Sequence, residues 1–290
     1  MKRWIVGLFC LVSICLSGVV HCQQPVATLQ QVSESADRLI FDCYRKAMVN
    51  PDGLPLGERM VQTALYFVGT PYVAATLERE PEQLVINLRE LDCTTFVESV
   101  LALSLTLPAE EPSFESYSHC LQTIRYRKGV ITDYTDRLHY FSDWIYENEQ
   151  FGWVKEVTEA LGGVPLPQQL SFMSTHPESY PALRHHPHRV KQMAHIEQQI
   201  NARNHYYIPK SSLRNCISGI RNGDIVGFVT SVKGLDVTHV GIAYWQQGTL
   251  TFMHASSAAK RVVVQPESLG SYIARNKSCK GIRVVRPVEH

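Results

Sequence analysis

Apolar positions recur along this chain with two different periods, and the change between them divides it. From about residue 30 to residue 50 they fall at helical spacing, with Leu39, Ile40, Cys43 and Ala47 in register, until Asn50-Pro51-Asp52-Gly53 breaks the run. A second helix is predicted over Leu56–Phe67, stopped by Gly69-Thr70-Pro71. A polar, extended stretch follows. Then Phe96, Val97, Val100, Leu101 and Leu103 leave little polar circumference between Cys93 and Leu105, the mark of a helix buried on most sides. Another helix is predicted over Pro187–Ala202. Beyond Asn222-Gly223 the period shortens. Asp224–Val229, His239–Trp245, Leu250–His254, Arg261–Gln265 and Gly281–Val285 are short apolar runs joined by turn residues, as antiparallel strands require. The pattern predicts an α+β chain, with a helical first half and an antiparallel sheet in the second.

The amino-terminal residues follow a different logic. Lys2 and Arg3 precede an apolar run from Trp4 to Leu16, with small or apolar residues up to Cys22. That is the charged head and apolar middle of a secretory signal, too short for a membrane span. Residues 1–22 are expected to be removed, leaving 23–290 as one domain, exported to the periplasm or secreted, with no stable membrane insertion. The alternative, lipid attached to Cys22, needs a small residue where His21 stands. Without Lys2 and Arg3 the chain carries 26 basic against 27 acidic residues, a balance that argues against nucleic acid or an anionic membrane surface as partner. In an oxidising compartment Cys43, Cys120, Cys216 and Cys279 allow between zero and two disulfides, and no cysteine pair has zinc-site spacing.

Candidate chemistry sits where the two halves begin. Asp92 is a good N-cap, which puts Cys93 at the first helical position. There a thiol meets the positive end of the helix, which favours thiolate, and free first-turn N–H groups can receive an oxyanion. A cysteine that merely packs an apolar helix is the competing reading. His239 opens the strand Thr-His-Val-Gly-Ile-Ala-Tyr, sharing a face with Gly241 and Ala243, and the next strand ends at His254. Paired strands would bring the two imidazoles together as a base and its orienting partner, although either histidine alone reads as a core residue.

Between about 108 and 215 aromatic and basic residues crowd together. Arg137 and Tyr140 are candidates for holding a glycopeptide, the arginine on carboxylates and the ring on a sugar face. The alternative is a helix whose aromatics pack on the sheet, with Arg137 paired internally. His176, His185, His186, His188 and His195 lack acidic partners and regular ligand spacing, and read as a solvated loop. No motif calls for a metal or cofactor.

Four segments in order resemble the NlpC superfamily of papain-like cell-wall cysteine hydrolases: Gly69-Thr-Pro-Tyr72, Leu91-Asp-Cys-Thr94, Arg221-Asn-Gly-Asp224, and His239-Val-Gly-Ile242 with Phe252-Met-His-Ala-Ser256. The resemblance implies a nucleophile helix packed on a mostly antiparallel sheet. It also implies Cys93 as nucleophile, His239 as base, His254 as orienting residue, and Tyr72 and Thr94 bordering the cysteine. Common members carry Asp-Cys-Ser-Gly and a short link to the histidine strand. Here Asp-Cys-Thr-Thr, the long helical insertion, Arg125-Tyr-Arg-Lys-Gly129 and Arg137-Leu-His-Tyr-Phe-Ser-Asp-Trp144 are similar to the N-acetylmuramoyl-L-alanine amidase-like branch. That branch implies cleavage between N-acetylmuramic acid and L-alanine in peptidoglycan or its fragments. A stem-peptide endopeptidase cutting after D-glutamate and a non-catalytic wall-binding module are the alternatives.

Overall fold

The structure is a computed structural model that describes residues 29–48 and 53–289. The expected signal and Asn50, Pro51 and Asp52 of the predicted break lie outside the described residues. Five helices come first: α1 (Leu29–Ala47), α2 (Leu56–Tyr66), α3 (Cys93–Thr106), α4 (Phe114–Arg125) and α5 (Phe141–Gln150). Strands β1 (Val154–Glu156) and β2 (Val164–Pro165) and the single-turn helices α6 (Phe172–Thr175) and α7 (Pro181–Arg184) lead to α8 (Pro187–Asn201), β3 (Tyr206–Pro209) and α9 (Leu213–Cys216). The strand-rich segment then runs β4 (Ile225–Thr230), β5 (Val237–Gln246), β6 (Thr249–Ser256), β7 (Arg261–Val264), α10 (Leu269–Arg275) and β8 (Cys279–Pro287).

All the strand pairs are antiparallel, in the order β2-β3-β8-β4-β5-β6-β7, with β1 also on β8. The α+β expectation therefore holds. The last strand does not extend the meander at β7; it returns to the middle, between β3 and β4. There it also collects β1, β2 and β3 from the segment that reads as an insertion. Those strands are two to four residues long; β1 and β3 find their partner β8 more than seventy residues further along and β2 joins through β3, so no local period announces them.

Both faces of the central sheet are covered, which is why Ile225–Val229 is an apolar run and not an alternating one. One face presents Ile225, Val240, Ile242, Met253 and Val285 to Phe96, Val97, Val100 and Leu101 of α3. The other presents Phe228, Phe252 and Ile282 to Leu269 and Ile273 of α10. A third cluster, around Tyr140, Met173, Leu183, Met193 and Ile200, lies inside the insertion. Gly227 is required here: a Cβ would stand 2.3 Å from the Phe141 ring, which packs over β4. Among the described residues no helix is long and apolar enough to cross a membrane.

The five described cysteines are free, so of the disulfide possibilities open on spacing the structure realises none.

Candidate active site

Helix α3 begins where Asp92 adopts extended backbone and turns its carboxylate onto the Thr95 amide at 2.8 Å, while the Thr95 hydroxyl accepts from the Asp92 amide at 2.9 Å. This reciprocal box fixes the helix start, and with it Cys93 at the first helical position. The Phe96 amide donates to the Asp92 carbonyl. The Val240 amide and the hydroxyl and amide of Thr94 lie close enough to the sulfur to favour its charged form.

The electrostatic balance at Cys93 differs from the thiolate expected of a helix end. Burial pushes the thiol up to about 11, and the Asp92 carboxylate pushes the same way; the donors from Val240 and Thr94 only partly oppose them. The carboxylate that caps the helix thus also disfavours negative charge on its first residue. Alkylation of Cys93 by iodoacetamide should be slow near neutral pH and climb as the medium becomes alkaline. Asp92→Asn keeps a capping oxygen but removes the charge, so it should alkylate several-fold faster at about pH 8. Peptide mapping reads this directly, and a slower Asn variant would reverse the assignment.

His239 stands on β5 and His254 on β6. The register pairs Ile242 with Met253, which sets His254 across from Gly241 and diagonal to His239. Gly241 has to be bare: a Cβ there would meet the Phe252 ring at 2.8 Å and the Met253 carbonyl at 2.9 Å. His239 Nε2 and His254 Nδ1 are 2.6 Å apart, with the rings nearly perpendicular at 84°. Phe228, Phe252 and Tyr272 surround the pair. That apolar wall holds both imidazoles below the ordinary histidine range. His239 falls to about 3 through burial and then the neighbouring His254, while the Gln265 hydrogen bond partly offsets the fall of His254.

Cys93 and His239 line one cleft of about 150 Å³ together with Thr94, Val97, Glu98 and Trp144, and Leu138 to Phe141 of the insertion close its far side. His254 lies behind His239, on a second, more open groove bounded by Gln265 and Tyr272. Tyr72 borders the cysteine. Its backbone bridges Leu91, and the charges of Cys93 and Asp92 add to burial in raising its hydroxyl.

The other two predicted binding residues are placed differently. Arg137 is buried and its guanidinium sits 2.8 Å from Glu78 and 3.5 Å from Glu82, over the Tyr134 ring. It is absent from the cleft wall, so its fork is engaged by the protein's own carboxylates and not free for a substrate. Tyr140 does line the cleft, but its hydroxyl donates to Glu197 at 2.6 Å and accepts from the Met173 amide at 3.0 Å, leaving only the ring. The internal alternative describes Arg137 and half describes Tyr140.

Sequence reasoning missed Glu98. This buried carboxylate accepts from Arg125 at 2.7 Å, and Arg125 also donates to the Val85 carbonyl at 2.6 Å. Burial raises the Glu98 carboxyl while Arg125 pulls it back. The signal was present: a charged residue inside the most apolar helical run of the chain. Asp236, also on the cleft, accepts from the Ser142 and Val237 amides at 2.7 and 2.8 Å. Among the described residues no three His, Cys, Asp or Glu side chains converge as a metal-holding group.

A cysteine at the start of a buried helix and a histidine on the adjoining sheet share one cleft of an α+β fold, and a second histidine on the next antiparallel strand is hydrogen-bonded behind the first. Residues 62–282 match the family described as AmiA-like, N-acetylmuramoyl-L-alanine amidase-like, and the chain belongs to that family. An N-acetylmuramoyl-L-alanine amidase from Bacteroides uniformis ATCC 8492 is 40% identical, with a TM-score of 0.77 over 81% of this chain and 99% of that one. A protein from Bacteroides fragilis named "putative xylanase" is 43% identical, with a TM-score of 0.74 over 78% of this chain and 99% of that one. Protein LPG0564 from Legionella pneumophila shares the fold at 23% identity, with a TM-score of 0.65 over 90% of this chain and 95% of that one. No curated protein matches the chain.

Proposed function

We propose that the protein is an exported, papain-like cysteine amidase of the NlpC type that hydrolyses the amide between N-acetylmuramic acid and L-alanine in peptidoglycan fragments. The observation that carries this reading is the shared cleft of Cys93 and His239, with His254 hydrogen-bonded behind the base.

Resting thiol and imidazole are both neutral, because burial raises one and lowers the other. The proton therefore moves from sulfur to His239 as the sulfur attacks the substrate carbonyl, not beforehand. His254 Nδ1 steadies the imidazolium while it lasts. Asp92 holds the Thr95 and Phe96 amides, which leaves the Cys93 amide as the first-turn donor for the oxyanion. An imidazolium in so apolar a setting is a strong acid, well suited to protonate the departing amine. Water activated by His239 then cleaves the thioester, releasing the acid and restoring the thiol.

The choice of bond rests on the family and on the B. uniformis amidase's name, together with the aromatic wall that the insertion supplies. Tyr140, Phe141 and Trp144 are themselves buried, so they shape the apolar wall beside the scissile amide and do not present free ring faces. Cleavage of a xylan glycosidic bond would need two free carboxylates flanking it. The cleft carboxylates, Glu98 and Asp236, are engaged by Arg125 and by backbone amides.

Mass spectrometry of a muramyl tetrapeptide digest tests the proposal. Free N-acetylmuramic acid with an intact tetrapeptide is expected. Muramyl-L-alanyl-D-glutamate with a released dipeptide would replace this reading by an endopeptidase.

A further inference from the structure

Behind the histidine pair, on the side away from Cys93, a line of polar groups continues through three residues with no part in the cleft. His254 Nε2 meets Gln265 Oε1 at 3.1 Å, and Gln265 Nε2 donates to Glu267 Oε1 at 2.9 Å. Arg275 donates to the same Glu267 oxygen from α10. The Gln265 backbone is pinned to β6 on both sides of its Cα: its amide donates to the Phe252 carbonyl at 2.8 Å and its carbonyl accepts from the Thr251 hydroxyl at 2.6 Å. The side chain therefore has a fixed origin directly beside His254.

We propose that Gln265, oriented by Glu267, is a positioning residue that sets which nitrogen of His239 is free to act as base. This rests on His239 being the base. The two ends of an amide are alike in size and opposite in hydrogen bonding. A carboxylate only accepts, so Glu267 holds the NH2 end and turns Oε1 toward His254. An amide oxygen also only accepts, so His254 carries its hydrogen on Nε2 and presents a bare Nδ1. That bare nitrogen can only receive, so His239 donates from Nε2 and keeps its lone pair on Nδ1, the ring nitrogen the pair does not use. Were the amide reversed, each step would invert, and His239 would hold a hydrogen where it has to accept one. Arg275 screens the Glu267 charge that keeps the chain in this sense.

The test combines kinetics with nitrogen-15 NMR of the imidazoles. Gln265→Ala should lower kcat about 10- to 100-fold, the range typical when a partner that fixes an imidazole's tautomer is removed, with KM and the melting midpoint little changed. The exchanged pair Gln265→Glu with Glu267→Gln keeps an acceptor toward His254 and a matched bond behind it, and should recover most of kcat. In the wild-type protein His254 should show a protonated Nε2 and a bare Nδ1, and Gln265→Ala should blur that pattern. Unchanged kcat in folded Gln265→Ala, a folded but inactive exchanged pair, or a wild-type His254 protonated at Nδ1 would each overturn the proposal. The NMR arm needs no turnover, so it separates this claim from the identity of the base. Activity retained by His239→Ala would overturn the identity of the base, and with it the catalytic part of this proposal, while the hydrogen placement on His254 would still stand or fall by NMR.

Discussion

Cys93→Ala and His239→Ala are each expected to lose about four to six orders of magnitude in turnover of a muramyl tetrapeptide, the scale typical of removing a nucleophile or its base. Neither change should unfold the protein. Cys93 is only partly buried and its helix start is held by Asp92 and Thr95, while His239 contributes one bond to a sheet anchored by the whole of β5. Circular dichroism should overlay the wild type. His254→Ala should lose less, because it removes orientation and not the reacting group. The same assay run across pH checks the site's electrostatics. A base must be unprotonated to work, and burial holds His239 near 3. The wild-type kcat/KM should therefore stay level as pH falls through the ordinary imidazole range, with its acid limb well below it. The alkaline limb belongs to the thiol, pushed up to about 11. Wild-type rates in either alanine variant would rule out the mechanism, and an acid limb near the ordinary imidazole value would show that His239 is solvated.

The largest stability effect is expected at Arg125. Its guanidinium and the Glu98 carboxylate are each 2% exposed, and they join α4 to the helix that carries Cys93. Arg125→Ala leaves a buried carboxylate without its partner, a change that costs about 3–5 kcal/mol, or roughly 10 °C in melting midpoint for a domain of this size. Replacing both, as Arg125→Met with Glu98→Gln, leaves no uncompensated charge and should recover most of the loss. The pH dependence has a definite sign. Burial already lifts the Glu98 carboxyl above its ordinary value, and losing Arg125 lifts it further. A carboxyl whose folded value is raised stabilises fully below its unfolded value and loses that contribution as pH rises through the folded one. The deficit of Arg125→Ala should therefore shrink in mild acid and be greatest above neutral pH. Parallel thermal melts at about pH 5 and pH 8 measure it. An Arg125→Ala midpoint equal to wild type at both would mean that the pair is solvated.

The chain's own order of residues determined every element whose logic is local. Asp92 announced the start of α3, because a cap acts within one turn. The apolar run behind Cys93 announced a helix buried on nearly all sides, and turn residues spaced strands β4 to β7 so closely that each pairs with its neighbour. His239 and His254 could be brought together on paper for the same reason, since adjacent strands with a short turn have little freedom of register. What lay beyond reach were matters settled by groups distant in sequence. The return of β8 to the sheet centre and the capture of β1 to β3 depend on partners far along the chain. The engagement of Arg137 by Glu78 and Glu82 does too. So does the protonation state of Cys93: its helix position favours thiolate, but packing against Val240 and closure of the cleft by the insertion remove water from the sulfur. Burial is a property of the assembled fold, and here desolvation outweighs the helix end. Local sequence determined which residues could react. Only the tertiary structure decided that burial disfavours charge on both, and that Gln265 stands beside His254.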